Sequence, residues 1–569
     1  MVISVGRLSC IALVAAALLG CAPRSAPQAE ATGGIGLGGE GGLGAYLAGR
    51  YAQSHGDTRS AAEFLLNAAR RDPDNTDLQQ RAFSLLLAEG RLDEAMPIAE
   101  RLLIIDGDSA LPLLAAGLRD ARDGRLAAAE KRFAALPQKG INGFLGPLLL
   151  AWTRQAQNDP DGALKLLKPR SETASFAPIY EFHAGLIAEM AGRLQPAEGH
   201  YAAALAGQTS VRTVEAVGGF FQRTGRMEAA AQLYQRYHVE HNDRSLLDGR
   251  RQMAAGAAVA RVVSDPIQGL AEVMFDTASL VRQGNAHDLA LVFSRLALGL
   301  RPDFPLAQLL VADTLGRQRR LAEANAIYRA IDGNSQAAEF ARLRLAFNLD
   351  EAGDTDGALS ELRRLANARP DAFEPVLSRG DILRRHKRYA EAAEAYDQAI
   401  ERAARSGEPP NWTLHYARGM ALERSRQWAR AEADFKEALR LKPDQPDVLN
   451  YLGYSWVDQG VNLDEGRKLI ERAVQQRPND GAIVDSLGWA FYRTGDFQAA
   501  VKHLERAVEL KPEDPTINEH LGDALWRVGR VDEARFQWNR AMSLDPEPEQ
   551  IEALREKIST GRLPAAPAR

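Results

Sequence analysis

Few residues of this chain have the types and spacing that catalysis requires. Residues 238–241 read His-Val-Glu-His, so the histidines lie three positions apart, whereas the zinc motif H-E-x-x-H places them four apart on one helical face. Residues 36–41 match the glycine pattern of dinucleotide-binding loops, but no strand precedes them. Residues 453–455 begin like a nucleophile elbow but lie inside a helical pattern. We therefore predict that the protein is not an enzyme and has no catalytic residue, no metal site and no cofactor.

Cys21 is the residue whose surroundings indicate a specific reaction. An apolar stretch from Cys10 to Leu19 is too short to span a bilayer, which needs about 20 residues, and it ends in Leu-Leu-Gly-Cys at residues 18–21. This ending resembles the lipobox of bacterial lipoproteins, which implies removal of residues 1–20 and lipidation of Cys21. Ala22, rather than an aspartate, implies attachment to the outer membrane, facing the periplasm. The alternative is an ordinary secretory signal peptide that happens to contain a cysteine.

The segment after Cys21 is poor in large apolar side chains. Residues 22–42 are rich in Gly, Ala, Pro and Ser, a composition that cannot offset the entropy cost of ordering. We predict a tether with an end-to-end distance on the order of 25 Å. Cys10 and Cys21 are the two cysteines of the sequence. A lipidated chain would therefore have neither a disulfide nor a free thiol.

Length and charge limit the remaining classes of protein. A chain of 569 residues exceeds the roughly 250–300 residues at which single cores stop growing, so several domains or a repeat array are expected. Its 70 basic and 75 acidic residues are interspersed and give a formal net charge of −5. A nucleic-acid-binding protein usually has a basic face, so no nucleic-acid partner is predicted.

Self-similarity is the main structural signal. From residue 43 onward apolar residues recur at helical spacing, and Pro478, Pro512 and Pro546 lie 34 residues apart. Small residues at fixed offsets allow close helix approach, and bulky ones fill the space between the helices. Two successive units share this pattern: Leu487, Gly488, Phe491, Gly495, Ala500, Leu504, Ala507, Pro512, and then Leu521, Gly522, Leu525, Gly529, Ala534, Trp538, Ala541, Pro546.

The pattern resembles the tetratricopeptide repeat (TPR). The resemblance implies an all-α superhelix of about 14 helix-turn-helix repeats with a long concave surface. The predicted organisation is a signal peptide (1–20), a tether (21–42), a degenerate N-terminal array (43–240), a junction (241–270), a C-terminal array (271–546), a capping helix (547–561) and a tail (562–569). The junction could equally be a further degenerate repeat.

The same resemblance places certain residues of the first helix of each repeat in the concave groove. Rigid aromatic side chains beside hydrogen-bonding groups suit recognition of an extended peptide. The aromatic residues could instead pack between repeats, which we expect for Trp456 and Trp538 and which is the alternative to binding for Trp489 and Trp526. The candidate groove residues are Asn450, Tyr454, Asp485, Trp489, Tyr492, Arg493, Glu519, Asp523, Trp526 and Arg527.

Residues 410–545 are most similar to proteobacterial outer-membrane TPR lipoproteins. This resemblance implies a non-catalytic adaptor that binds partner proteins or peptides and is held at the membrane by its N-terminal lipid. Members of that group act with periplasmic proteases that control cell-wall enzymes. The alternative is an assembly or export factor for outer-membrane proteins or polysaccharide.

Overall fold

A computed structural model describes residues 42–171, 176–207, 210–241, 259–331, 333, 335–406, 411–561 and 563. The predicted signal peptide, Cys21, the tether before Gly42 and most of the predicted junction lie outside these residues. Within them the structure has 29 α-helices and no strand, so the predicted all-α class is confirmed. The chain divides into two compact units, Met1–Ala352 and Gly353–Arg569, and the division falls inside the segment that the sequence assigns to one C-terminal array.

Unit 1 contains the first 17 helices. They are α1 (Gly42–Ser54), α2 (Thr58–Arg71), α3 (Thr76–Ala88), α4 (Leu92–Ile105), α5 (Ala110–Arg122), α6 (Leu126–Ala134), α7 (Gly140–Ala156), α8 (Pro160–Ser171), α9 (Ala177–Met190), α10 (Leu194–Leu205), α11 (Val211–Arg223), α12 (Met227–His241), α13 (Pro266–Gln283), α14 (His287–Leu300), α15 (Pro305–Arg317), α16 (Leu321–Ala330) and α17 (Gln336–Glu351).

Unit 2 contains the remaining helices. They are α18 (Thr355–Ala368), α19 (Glu374–Arg385), α20 (Tyr389–Arg405), α21 (Trp412–Arg424), α22 (Trp428–Leu441), α23 (Pro446–Gln459), α24 (Leu463–Gln476), α25 (Gly481–Arg493), α26 (Phe497–Leu510), α27 (Pro515–Arg527), α28 (Val531–Ser543) and α29 (Pro548–Thr560). The last of these is the helix that the sequence predicts as a cap.

The turn between the two helices of each pair contains a residue with a left-handed backbone conformation, and these residues show the repeat period. Such turn residues recur mostly 34 positions apart, because each repeat needs the same tight reversal. Glycine occupies many of them, but asparagine, arginine or lysine occupies five. The described turn residues with positive φ are Gly56, Gly90, Gly124, Asn158, Gly192, Gly225, Asn285, Arg319, Gly353, Lys387, Arg426, Gly460, Gly495 and Gly529.

Many helix pairs pack a bulky residue of the second helix against a glycine of the first, as the sequence predicts. A Cβ on Gly522 would lie 2.4 Å from the Trp538 ring, and a Cβ on Gly488 would lie 2.5 Å from Leu504. Trp538 is fully buried and Trp456 is 8% exposed, which confirms the expected packing role of both tryptophans. These contacts exclude water from the seam of each pair and account for much of its stability.

The inner face of unit 1 is covered by the chain itself. Helices α13 and α14 pack against α3, α5 and α7. Each covered residue lies six or ten positions before the turn residue of its repeat. In unit 2, Trp489 lies six positions and Asp485 ten positions before the turn residue Gly495. The covered residues are apolar and at most 4% exposed: Leu114, Leu118, Leu148 and Trp152. Phe182 and Leu186, at the same positions on α9, are equally buried. The concave surface expected from the sequence is therefore not open in this part of the chain.

Trp152 is the clearest example of this self-packing. A Cβ on Gly269 of α13 would lie 2.2 Å from the Trp152 ring, so the α13 backbone lies against the indole. Trp152 Nε1 donates to His183 Nδ1 at 3.0 Å, and His183 Nε2 lies 3.1 Å from the Asp276 carboxylate of α13. Next to this cluster, Arg212 and the fully buried Glu272 form a bidentate ion pair.

A second set of contacts joins the start of unit 1 to its later helices. Arg320, which directly precedes α16, donates to both carboxylate oxygens of Glu89 at 2.7 Å and also to Glu323. Thr58 of α2 donates to Glu89 and accepts from Arg320. The Glu89 carboxylate and the Arg320 guanidinium are nearly excluded from water, so both depend on hydrogen bonds within the chain.

Candidate functional site

The candidate residues stand at repeated positions on the first helices of three successive repeats in unit 2. Asn450, Asp485 and Glu519 occupy one position on α23, α25 and α27. One turn later come Tyr454, Trp489 and Asp523, and the series continues to Lys557 on α29, which lies 34 residues after Asp523. We call the side of these helices that carries these seven residues the groove face.

At its C-terminal end the groove face is occupied by the capping helix. Lys557 Nζ donates to Glu519 Oε1 at 2.7 Å and to Asp523 Oδ2 at 2.8 Å, and only 9% of its side chain is exposed. Asp523 also accepts from Trp538 Nε1 at 2.9 Å. Burial alone would lower the pKa of Lys557, but the two carboxylates outweigh it and raise the pKa. Glu519 and Asp523 therefore have their partners within the chain.

Trp526, another candidate, is also covered at this end. A Cβ on Gly561, directly after α29, would lie 2.2 Å from the Trp526 ring. The ring also lies 5.3 Å from that of Trp538. This arrangement supports the packing alternative for Trp526.

In the middle of the groove face, a buried histidine joins α25 to α27. His520 Nδ1 lies 3.0 Å from Asp485, and the imidazole stacks on the Trp489 ring with centroids 4.1 Å apart. Burial would lower the pKa of His520, but the charge and hydrogen bond of Asp485, together with the nearby carboxylates of Glu519 and Asp523, raise it. Tyr492 stacks on the same indole at 4.7 Å, parallel to within 7°.

The two arginines among the candidate residues, Arg493 and Arg527, donate hydrogen bonds to neighbouring helices. Arg527 Nε donates to Tyr492 Oη at 3.2 Å, and its guanidinium lies 5.9 Å from the centroid of that ring. Arg493 donates to the backbone oxygen of Asp458 at 2.7 Å. Both arginines therefore stabilise contacts between successive repeats.

Two polar atoms in the N-terminal half of the groove face are buried without a partner among the described residues. They are the acceptor Asn450 Oδ1 and the donor Trp489 Nε1. At the equivalent positions two repeats further, Lys557 contacts Glu519 directly, so side chains at these two positions face each other across adjacent helices. Tyr454, one turn after Asn450, is largely buried, and burial raises its pKa.

Two residues that complete the site were missed from the sequence. His520 contacts Asp485 from the next repeat, and Lys557 contacts Glu519 from the cap. The signal for Lys557 was available, because it continues the 34-residue series of Trp489 and Asp523. His520 gave no such signal, since the residues 34 and 35 positions before it are Ser486 and Asp485.

The part of the chain that the structure describes contains no group of three or more His, Cys, Asp or Glu side chains placed to hold a metal ion. Among the same residues, no helix combines the length and the apolar character that crossing a bilayer demands.

Family profiles match more than half of the chain. Two profiles described as tetratricopeptide repeat match residues 416–481 and 486–547, and residues 52–117. A third, described as a tetratricopeptide repeat-like domain, matches residues 302–413.

Curated relatives match over shorter segments. A TPR repeat-containing protein of Pseudomonas aeruginosa is 30% identical over 164 residues, which is 29% of this chain and 27% of the relative. Cellulose synthase operon protein C of Xanthomonas axonopodis pv. citri is 31% identical over 227 residues, which is 37% of this chain and 14% of the relative. The matched region thus spans about a quarter or less of these relatives.

Solved structures of low sequence identity align over most of the chain. Yeast Tom70 is 13% identical with a TM-score of 0.33, and the alignment covers 91% of this chain and 94% of that one. The Cut9–Hcn1 hetero-tetramer of the APC/C is 12% identical with a TM-score of 0.38, with coverage of 91% and 96%. On the family profiles, the repeat period and the helix pairs, the chain belongs to the tetratricopeptide repeat proteins, which are protein-binding scaffolds.

Proposed function

We propose that this TPR protein is a lipid-anchored adaptor on the periplasmic side of the outer membrane, and that it holds an extended segment of a partner protein on the groove face of unit 2. On α5 and α7 of unit 1 the corresponding positions are buried beneath the chain's own helices α13 and α14. Residues 450–489 are the part of the groove face that the capping helix leaves unoccupied.

The observation that carries this proposal is the pair of unpartnered polar atoms. Asn450 Oδ1 needs a donor and Trp489 Nε1–H needs an acceptor. A peptide group offers both, an N–H and a C=O. Each buried polar atom left unpaired costs about 1–3 kcal/mol, so an extended backbone that reaches both atoms when the side chains covering them move aside would recover part of that free energy.

The charges of the groove face favour a basic or apolar segment. Lys557 shows how an ammonium group is accommodated between two carboxylates at this position of the repeat. Nearer to Asn450, Asp458 is half-exposed and adds further negative charge. A free C-terminal carboxylate is a poor fit, because it would need Lys or Arg at positions that carry Asn, Tyr, Asp and Trp.

The adaptor role follows from the resemblance of residues 410–545 to outer-membrane TPR lipoproteins. On this basis the partner is a periplasmic protease or a cell-wall enzyme.

Substitutions on the groove face test the site. With a partner identified by cross-linking in the native cell and then purified, Trp489→Phe should weaken binding about fivefold, because it removes one neutral hydrogen bond of about 1 kcal/mol and keeps the aromatic stack.

Trp526→Phe is the matched control, since Trp526 is covered by Gly561 and should leave the affinity unchanged. Asn450→Ala should reduce affinity to a similar extent as Trp489→Phe. Wild-type affinity in both the Trp489 and the Asn450 variants would contradict the proposed site.

The lipid anchor has its own test. Cys21→Ala should abolish incorporation of labelled fatty acid and leave an unprocessed precursor in membranes. A variant that still incorporates the label would refute the anchor without affecting the groove.

An assembly or export factor is the second candidate, and the similarity to cellulose synthase operon protein C favours it. The same cross-linking experiment distinguishes the two functions. Recovery of polysaccharide, or of unfolded outer-membrane proteins in place of a single folded enzyme, would support the second.

A further inference from the structure

The first helix of unit 1 presents a row of exposed apolar side chains. Leu43, Leu47 and Tyr51 stand four residues apart on α1, on one face of the helix, and are 55%, 57% and 67% exposed. Elsewhere in the described residues large exposed apolar side chains occur singly or as adjacent pairs. We call these three residues the α1 face.

Repeat equivalence explains why part of this face is uncovered. Leu47 and Tyr51 occupy the positions of His183 and Ile187 on α9, both of which are fully buried. In such interior repeats the preceding helix pair covers these positions, and no described helix precedes α1. A repeat array normally ends in a polar outer face.

The other end of the array follows that rule. Helix α29 buries Leu554 against its neighbours, while the outer residues Glu552, Arg555 and Glu556 are exposed. The α1 face does the opposite, because it places leucine and tyrosine where an array would ordinarily end in charged residues.

We propose that the α1 face lies on the surface of the membrane to which the chain is anchored, an inference that rests on the proposed lipidation of Cys21. Cys21 stands 21 positions before Gly42, so even a fully extended connection keeps α1 within about 75 Å of the lipid. The bilayer surface is then the apolar environment always within reach.

The chemistry of α1 suits an interface between water and lipid. Its single charged residue is the exposed Arg50, whose guanidinium donates to Tyr46 Oη at 3.1 Å, and the helix has no carboxylate. Leucine side chains would enter the acyl boundary, tyrosine would lie at headgroup level, and arginine would face anionic headgroups.

A second copy of the chain fits this face less well. Three side chains cover on the order of 300 Å², far below the roughly 800 Å² per partner that a stable protein interface buries. Membrane contact needs no such area, because the lipid anchor already supplies the attachment and the helix only has to orient the unit.

A fluorescent label on the α1 face tests the proposal. The chain from Ala22 to Arg569 keeps every described residue and has no cysteine, so Leu47→Cys gives one site for an environment-sensitive nitrobenzoxadiazole label. An N-terminal hexahistidine tag holds the protein on phosphatidylcholine–phosphatidylglycerol vesicles that contain a nickel-chelating lipid. We expect a blue shift and a severalfold rise in emission when these vesicles are added.

The control label is at Ile104→Cys, on α4, where the side chain is 86% exposed but stands at no end of the array. It should not respond. A label at residue 47 that stays in water, or equal responses at both sites, would overturn the proposal, as would a response without vesicles that grows with protein concentration, which indicates a second copy. Because the tag replaces the acyl chains, the vesicle experiment does not depend on lipidation of Cys21. A separate finding that Cys21 is not lipidated would therefore refute the proposed anchor and leave the vesicle result as it stands.

Discussion

At the scale of single residues, His520 makes the stability of unit 2 depend on pH. Its pKa is raised in the folded state, because the carboxylates of Asp485, Glu519 and Asp523 favour the charged imidazolium more strongly than burial disfavours it. A raised pKa means that the stabilisation is complete below the unfolded value of about 6.5 and is lost as the pH rises through the folded value.

We therefore predict that deprotonation of His520 lowers the melting temperature of the wild type between pH 6 and pH 9. The His520→Gln variant should lack this contribution to the decrease. His503 provides the control, because partial burial lowers its pKa, so its contribution to stability runs the opposite way. His503→Gln should therefore steepen the decrease with pH. An unchanged pH profile in His520→Gln would refute the assigned charge.

At the scale of helices, α23 and α24 approach each other so closely that their backbones are in contact. A Cβ on Gly453 would lie 2.7 Å from the backbone oxygen of Gly466, which cannot move without shifting its helix. We predict that Gly453→Ala lowers the free energy of unfolding by about 1–3 kcal/mol, because the two helices must separate. Urea unfolding followed by circular dichroism measures this change.

Gly199 offers the matched control on α10, since a Cβ there meets no atom within 4 Å. Gly199→Ala should raise stability by about 0.5–1 kcal/mol, because alanine loses less conformational freedom on folding. Equal effects of the two substitutions would show that helix propensity, and not helix contact, decides the outcome.

The capping helix depends on one buried cation. Lys557→Met would leave Glu519 and Asp523 buried without their ammonium partner, at a cost of about 3–5 kcal/mol. We predict that hydrogen exchange in α29 is faster in Lys557→Met than in the wild type. Adding Glu519→Gln and Asp523→Asn to this variant should slow the exchange again. Lys511→Met, which breaks the ion pair of a half-exposed lysine with Asp514, should cost less than about 1 kcal/mol.

The sequence predicts helices best where local chemistry repeats. The all-α class, the 34-residue period and the pairing of Gly522 with Trp538 were all predicted, because they depend on residues close in sequence. Turns at Asn158, Asn285, Arg319, Lys387 and Arg426 were missed, since their left-handed residue is not glycine. The ion pair of Lys557 joins separate repeats, and only the periodic series pointed to it.

At the scale of the whole molecule, the same repeat position has different surroundings in the two units. Trp152 in unit 1 and Trp489 in unit 2 both stand six residues before a turn residue. The first is fully buried against α13, whereas the second has an unpartnered Nε1 at the groove face. The apolar character of Leu148 and Trp152 was the sequence signal that unit 1 fills its own inner face.

The same substitution at these two tryptophans should therefore separate stability from binding. Trp152→Phe removes the hydrogen bond to His183 and leaves a gap beneath Gly269, so we predict a loss of about 1–3 kcal/mol in the stability of unit 1 and an unchanged affinity for the partner. Trp489→Phe breaks no hydrogen bond among the described residues, so it should leave stability nearly unchanged and weaken binding. Thermal unfolding and titration of the partner into each variant measure both effects, and weaker binding by Trp152→Phe below its melting temperature would place part of the binding surface on unit 1.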